Sequence, residues 1–316
     1  MKQRLHKIYE SSVVWLLWVL CYCFALHPRF IRYGFYKPFV AFIMRRVVRY
    51  RYAVITTQLS ECFPEKSDEE IAELRKRYYD HLAEMIVDTL SLARMNDKRR
   101  RASTEFCLTE NFHEEIAGRG VIVLTSHYGF WECALNLYLE TPNHHIAVAY
   151  RPIKSQIVDK LFRRLRNNNR VDVVPSHQFM RHFLTHRTGK DGKFLIAGLI
   201  ADQNCPPSKG CCWHSFLNHD SLFFDGGEQL ALKYHLPVYY LELERIDAGC
   251  YRHKYTLIYD GVEEVAPHEI TERYVRCLER TIVAKPEHWM WSHRRWKFPV
   301  TPESKFYNNY KEQKRI

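Results

Sequence analysis

The sequence contains no internal repeat, no low-complexity tract and no clear linker, which excludes a solenoid, a disordered chain and a string of tethered modules. Its ten cysteines (Cys21, Cys23, Cys62, Cys107, Cys133, Cys205, Cys211, Cys212, Cys250 and Cys277) form no paired framework, so a reducing compartment is expected. Cys205, Cys211, Cys212 and His214 lack the Cys-x2-4-Cys spacing of a structural zinc site and read as loop residues. Cys133 has nothing beside it in sequence that would activate a thiol. Acid is scarce at the start: residues 1–52 hold ten Lys/Arg against the single Glu10, a local charge of +9 out of a total of +11. No nucleic-acid-binding fingerprint accompanies that charge, so nucleic acid is not an expected partner.

The remaining partner for a basic terminus is an anionic membrane surface, and the neighbouring residues agree with it. Residues 13–26 are apolar or aromatic without interruption. Fourteen helical residues reach about 21 Å, short of the roughly 30 Å hydrocarbon core. An inserted or interfacial anchor is therefore expected rather than a full span. A cleavable signal peptide is the alternative, disfavoured because more basic, apolar sequence follows. Residues 37–52 place Phe39, Val40, Phe42, Ile43 and Met44 beside Arg45, Arg46, Arg49 and Arg51, the composition of a helix lying on headgroups. The expected division is 1–52, membrane-anchoring helices, and 53–316, the catalytic region.

What is abundant is apolar: 46% of the 316 residues, enough to bury a full core. Ile71, Leu74, Tyr78, Leu82, Ile86 and Leu90 recur at helical spacing, so residues 68–95 are expected to be helical, with Ser67 and Glu70 as a capping box. Strands are expected over 121–125, 146–150, 171–174, 194–201, 238–244 and 255–259. Helices are expected over 130–139, 156–167, 178–186, 228–234 and 270–284. Such alternation predicts an α/β fold, a mostly parallel or mixed central sheet flanked by helices, behind an N-terminal helical anchor.

The segment Thr125-Ser126-His127-Tyr128-Gly129-Phe130-Trp131-Glu132 then sets a histidine and a carboxylate at the carboxyl end of a buried strand, where open α/β sheets bind substrates. A neutral imidazole there can take a proton from a hydroxyl, with Glu132 expected to hold the ring. His-x4-Glu alone is a weak pattern in a chain with 17 His. Arg151, after the 146–150 strand, and Asp202 with Gln203, after the 194–201 strand, are expected at the same sheet edge. Arg151 suits a phosphate or an oxyanion; Asp202 suits a cation or the acceptor, or a structural role. Gly226-Gly227-Glu228 opens a helix and either presents amides to an anion or caps that helix. His293-Arg294-Arg295 lies among Trp291, Trp296 and Lys297 and is expected to meet phosphates or form a solvated face. Trp213, Phe216, Leu217, Phe223 and Phe224 are candidates for an acyl groove, or for core.

Together these segments resemble the bacterial late-stage lipid A acyltransferases, the lauroyl/myristoyl transferase family of the lysophospholipid acyltransferase superfamily. The resemblance is carried by residues 52–67, ending Phe63-Pro64-Glu65-Lys66-Ser67, by Ser126 to Glu132, and by Tyr150-Arg151-Pro152. Ala201-Asp202-Gln203, Phe216-Leu217-Asn218, Gly226-Gly227-Glu228 and the block from Pro286 to Lys297 follow in the family's order. The Pro-Glu-Gly-Thr block usual in glycerol-phosphate acyltransferases is absent. The resemblance implies O-acyl transfer from acyl carrier protein or acyl-CoA to a hydroxyl of a lipid A precursor, at the cytoplasmic face of the inner membrane, with no metal or cofactor. A lysophospholipid, aminolipid or other glycolipid acceptor, or a non-catalytic protein of the same fold, are the alternative readings.

Overall fold

The computed structural model describes residues 2–166, 170–188, 192–205 and 210–297, with side chains from Tyr9 onward. The end of the helix expected over 156–167, and everything beyond Lys297 in the expected catalytic region, fall outside the described residues.

A seven-stranded sheet organises the chain, in the order β1 (Thr104–Cys107), β9 (Cys250–Tyr259), β8 (Val238–Asp247), β2 (Val121–Thr125), β5 (Phe194–Ile200), β3 (His144–Tyr150) and β4 (Val171–Pro175). Every neighbouring pair is parallel except β8 and β9, which form an antiparallel hairpin. The sheet is therefore mixed. The central strand β2 is buried along its whole length, as its unbroken Val-Ile-Val-Leu-Thr sequence requires when helices cover both faces. β6 (Cys211–Phe216) and β7 (His219–Phe224) make a separate hairpin. Its alternating apolar residues bury Phe216 and Phe223 in the main core, so these expected groove residues are core.

Eleven helices are numbered in chain order among the described residues. α1 (Lys2–Leu26), α2 (Arg29–Ile31) and α3 (Lys37–Phe42) lead, with π-helical turns at Arg32–Tyr36 and Ile43–Val47. α4 (Tyr52–Cys62), α5 (Asp68–Ser91), α6 (Asp97–Ala102) and α7 (Phe112–Glu115) precede β2. α8 (Gln156–Arg166), α9 (Ser176–His186), α10 (Gly226–Tyr234) and α11 (Glu269–Ala284) follow it.

The apolar run of residues 13–26 lies within the longer α1, whose 25 residues rise about 37 Å. Within it, the 18 residues Tyr9–Leu26 are long and apolar enough, by length and composition, to cross a membrane. One flank of this helix is held by protein: Lys160 of α8 pairs with Glu10 at 2.6 Å, and Arg164 lies 4.4 Å over Trp18. α5 starts with the expected capping box, Ser67 and Glu70 each bonding the other's backbone amide, a motif whose cap contributes about 1 kcal/mol. Its inner face carries Ile71, Leu74 and Tyr78 into the core, together with the buried acids Glu84 and Asp88. Lys37 and Arg245 pair with Glu84, while Tyr33 and Tyr251 donate to Asp88, fastening the first helices to the sheet edge.

Two expectations about cysteine and glycine change. Cys205 and Cys211 are joined as a disulfide, so the chain is not free of pairing. Gly227 lets α10 approach β2 so closely that a Cβ would lie 2.9 Å from Leu124 Cδ2, which accounts for that glycine by packing.

Candidate active site

Parallel strands leave their carboxyl ends at one edge, and three of them deliver the site. β2 and β5 pair with Thr125 opposite Ile200. Two residues further along each chain stand His127 and Asp202. The amide of Ala201 donates to the Thr125 carbonyl at 3.1 Å, extending the ladder just far enough to set that register.

The imidazole of His127 meets the Asp202 carboxylate, Nδ1 to Oδ1 at 2.8 Å, and the His127 backbone amide donates to Oδ2 at 3.0 Å. Trp289 Nε1 donates to the same Oδ2 at 2.8 Å. Asp202 is only 1% exposed. Burial by itself would raise its pKa, but His127 and these donors together hold it below the usual carboxylate range. An acceptor at Nδ1 fixes the imidazole proton there and leaves Nε2 as a free lone pair. Gln203 Nε2 is 3.2 Å from that Nε2 and can donate to it. Trp131 meets the ring edge-on at a centroid distance of 4.9 Å.

The turn that carries His127 is pinned from behind. Gly129 has φ +61°, and a Cβ there would collide with the Leu243 carbonyl oxygen, so the turn accepts only glycine without displacement. Its amide donates to the His288 carbonyl, and the Met290 amide donates to the His127 carbonyl. Segment 288–290 thus forms a short antiparallel bridge under the loop.

Glu132 does not hold the ring, contrary to the expectation from spacing. Residues Trp131–Leu139 wind as a 3-10 helix, and the Glu132 carboxylate accepts a two-pronged pair from Arg166, 2.7 Å from Nε and 2.5 Å from Nη2. Burial works against the Arg166 charge, yet Glu132 raises its pKa overall. Both carboxylate oxygens are taken up at the end of α8, while Asp202 reaches His127 from the neighbouring strand.

A cavity of about 460 Å³ opens against this loop. His127, Glu132, Arg151, Arg166 and Gln203 contribute its polar groups, and Val123, Leu135, Ile146, Val148, Ile196 and Gly198 are among its apolar walls. Of the expected residues, the structure therefore assembles His127, Glu132, Arg151, Asp202 and Gln203 around one place. It separates the others. Glu228 is buried and accepts from the backbone amide and hydroxyl of Thr271, at 2.9 and 2.5 Å. Arg294 is exposed and lines no part of the cavity. Arg295 is 2% exposed, donates to the Leu222 carbonyl at 2.6 Å and stacks 4.4 Å from the Phe223 ring. Burial pushes its pKa down to about 10, the state of a core cation rather than one meeting headgroups. Phe216, Leu217, Phe223, Trp213 and Phe224 likewise stay outside the cavity walls.

Arg166, Trp131 and Trp289 were not singled out from sequence. Arg166 closes a helix rich in basic residues directly after the β3 loop, which is a weak signal. Trp289 reaches Asp202 from 87 positions away, and nothing local announces it.

A family profile described as bacterial lipid A biosynthesis acyltransferase matches residues 1–298. No curated protein matches the chain.

Proposed function

From the premise that the chain belongs to the bacterial lipid A biosynthesis acyltransferase family, we propose that it moves a fatty acyl group from a thioester, carried by acyl carrier protein or coenzyme A, to a hydroxyl of a lipid A precursor. The carrying observation is the His127 imidazole, tied at Nδ1 to buried Asp202 and open at Nε2 to a cavity with long apolar walls.

In this reading the acceptor hydroxyl takes the place of Gln203 at Nε2 and gives its proton to His127 as its oxygen attacks the thioester carbonyl. The imidazolium that forms is matched by Asp202, already ionised and already bonded to it. The proton then passes to the departing thiolate, so the ring returns to its starting state. Arg151 at the cavity mouth and the Gln203 amide are the donors available for the oxyanion. Glu132 and Arg166 act as a wall that keeps the cavity's charge paired; they position rather than transfer. The acyl tail lies among Val123, Leu135, Ile146 and Ile196. No step calls for a metal.

In this reading the reaction takes place at the cytoplasmic face of the inner membrane. Support comes from α1 and from the exposed Phe30, Phe35, Phe39 and Phe42 in the basic stretch that follows it. Purified protein in mixed micelles, given acyl carrier protein and coenzyme A thioesters separately with a lipid A precursor, is expected to add one acyl chain, read by mass spectrometry. Absence of thioester consumption with either donor, or transfer at the wild-type rate by folded His127→Ala, would sink the reading. Offering lysophospholipid in parallel separates the acceptor classes.

A further inference from the structure

A second cavity, of about 230 Å³, lies at the junction of the first helices with the sheet edge. It is lined by four arginines from two separate parts of the chain: Arg29 and Arg32, just after α1, and Arg99 and Arg100, in α6. The segment from Phe130 to Cys133 separates it from the acyl cavity, since Phe130 and Cys133 line this one and Trp131 and Glu132 line the other.

Four guanidiniums around one hollow repel one another unless acids offset them. Among the described residues, only Arg29 is in direct ion-pair contact with an acid, Asp247, at 2.7 Å; Asp88 and Asp97 act on Arg32 and Arg100 from further off. Arg32 donates to the Ser91 hydroxyl at 2.6 Å, Arg99 to the Arg94 carbonyl at 2.7 Å and Arg100 to the Asn136 side-chain carbonyl at 2.9 Å. All three acceptors are neutral. Arg32 Nε is buried without a partner, and Arg100 is 3% exposed, so water offsets its charge poorly. The one carboxylate lining the hollow, Asp88, already accepts from Tyr33 and Tyr251. Burial pushes its pKa up to about 6, so at neutral pH it stays largely ionised and offsets part of the Arg32 charge, leaving the hollow still in excess of guanidinium.

We infer that this hollow binds a phosphate group, and that the phosphate is the headgroup of an anionic phospholipid. Planar guanidiniums grip phosphate oxygens in pairs, and an excess of them around one hollow is the chemistry that recognises it. The lipid source follows from position. Arg29 and Arg32 come three and six residues after Leu26, where the membrane-length helix ends, and Phe30 and Phe35 beside them are 75% and 62% exposed. A phosphate seated on the arginines would leave its acyl chains against those rings. The site is separate from the acyl cavity and does not depend on His127 being a catalytic base.

Native mass spectrometry of the full chain, released from detergent and then titrated with phosphatidylglycerol or phosphatidylcholine, tests this. Wild type is expected to retain one anionic phospholipid and to prefer phosphatidylglycerol. Arg32→Gln with Arg99→Gln should weaken that binding on the order of tenfold for each guanidinium removed. Arg46→Gln with Arg49→Gln removes the same charge from the exposed basic stretch outside the hollow and should leave the specific adduct intact. Equal loss in both double variants would overturn the site in favour of diffuse surface charge. Retention by Arg32→Gln/Arg99→Gln at the wild-type level would overturn it outright. Inorganic phosphate is the second arm: if it raises the melting temperature of wild type but not of Arg32→Gln/Arg99→Gln while no lipid adduct forms, the lipid source is overturned and a soluble phosphate takes its place. Loss of transfer by His127→Ala with the lipid adduct unchanged keeps this question apart from the proposed activity.

Discussion

The loops after β2 and β5 each deliver one buried carboxylate to the same cavity region, and the two do opposite things. Glu132 is five residues from His127 and binds a cation on α8; Asp202 is 75 residues away and binds the imidazole. Sequence proximity would choose the first as the histidine's partner. The parallel register of β2 and β5 chooses the second, because strands paired at Thr125 and Ile200 must bring the residues two steps beyond them face to face. Contacts at a sheet's edge are set across strands, not along them.

This division of labour can be broken in order of decreasing effect. His127→Ala removes the proposed base, and kcat should fall on the order of 10⁴-fold, the upper range for a positioned general base, measured by initial rates of thioester consumption. Asp202→Asn keeps the shape but offers Nδ1 an amide, so the proton shifts tautomer. A fall on the order of 10³-fold is expected, with an altered pH profile. Glu132→Gln should cost far less in kcat and more in stability. It leaves the half-buried Arg166 without its counter-charge, a loss below the about 3–5 kcal/mol of a fully buried pair, read by chemical denaturation. A folded Glu132→Gln with the rate and pH profile of Asp202→Asn would reverse the comparison.

Acid provides a milder test of the surroundings. Burial pushes the pKa of His253 down to about 3 and those of His288 and His293 to about 4. In the unfolded chain each returns to about 6.5. The folded state thus favours neutral rings, so their contribution to stability is full above about pH 6.5 and shrinks as pH falls towards 4, where the unfolded chain has taken up protons first. The melting temperature is expected to drop between pH 7 and pH 5, and His253→Gln should reduce that drop. Smallest of all is Trp289→Phe, which removes one of three donors to Asp202. A single hydrogen bond to a charged group is worth about 1.5–3 kcal/mol, shared here with two remaining donors, so a change of roughly tenfold or less in kcat with KM unaltered is expected.

Much of this arrangement is legible in the residues. The β-branched run of β2, the Ser67/Glu70 cap and the α/β alternation depend on neighbours within a few positions, and the structure contains all three. His127, Arg151 and Gln203 could be placed at one edge because each follows a strand. What stayed hidden depends on distant pairing. The antiparallel β8–β9 hairpin, the short β1 and the β6–β7 hairpin look no different locally from parallel strands or loop. The aromatic residues of β6 and β7 suggest a groove until Phe216 and Phe223 are seen to pack on Trp289 and Tyr274. Within the Pro286 to Lys297 block, His293-Arg294-Arg295 among Trp291, Trp296 and Lys297 suggests a phosphate contact or a solvated face because it is basic and aromatic. The block's work is largely done by Trp289 and by the backbone at His288 and Met290, which composition does not reveal.

Gly198 carries a consequence of its own. It stands opposite Val148 in the paired strands β5 and β3, and a Cβ on it would come within 2.8 Å of Val148 Cγ1. Walls held by interstrand hydrogen bonds cannot swell to admit a larger guest without unzipping the ladder. In the proposed reaction, the product spectrum should therefore be narrow, and added bulk at this one position should shift it by whole carbon atoms instead of blurring it.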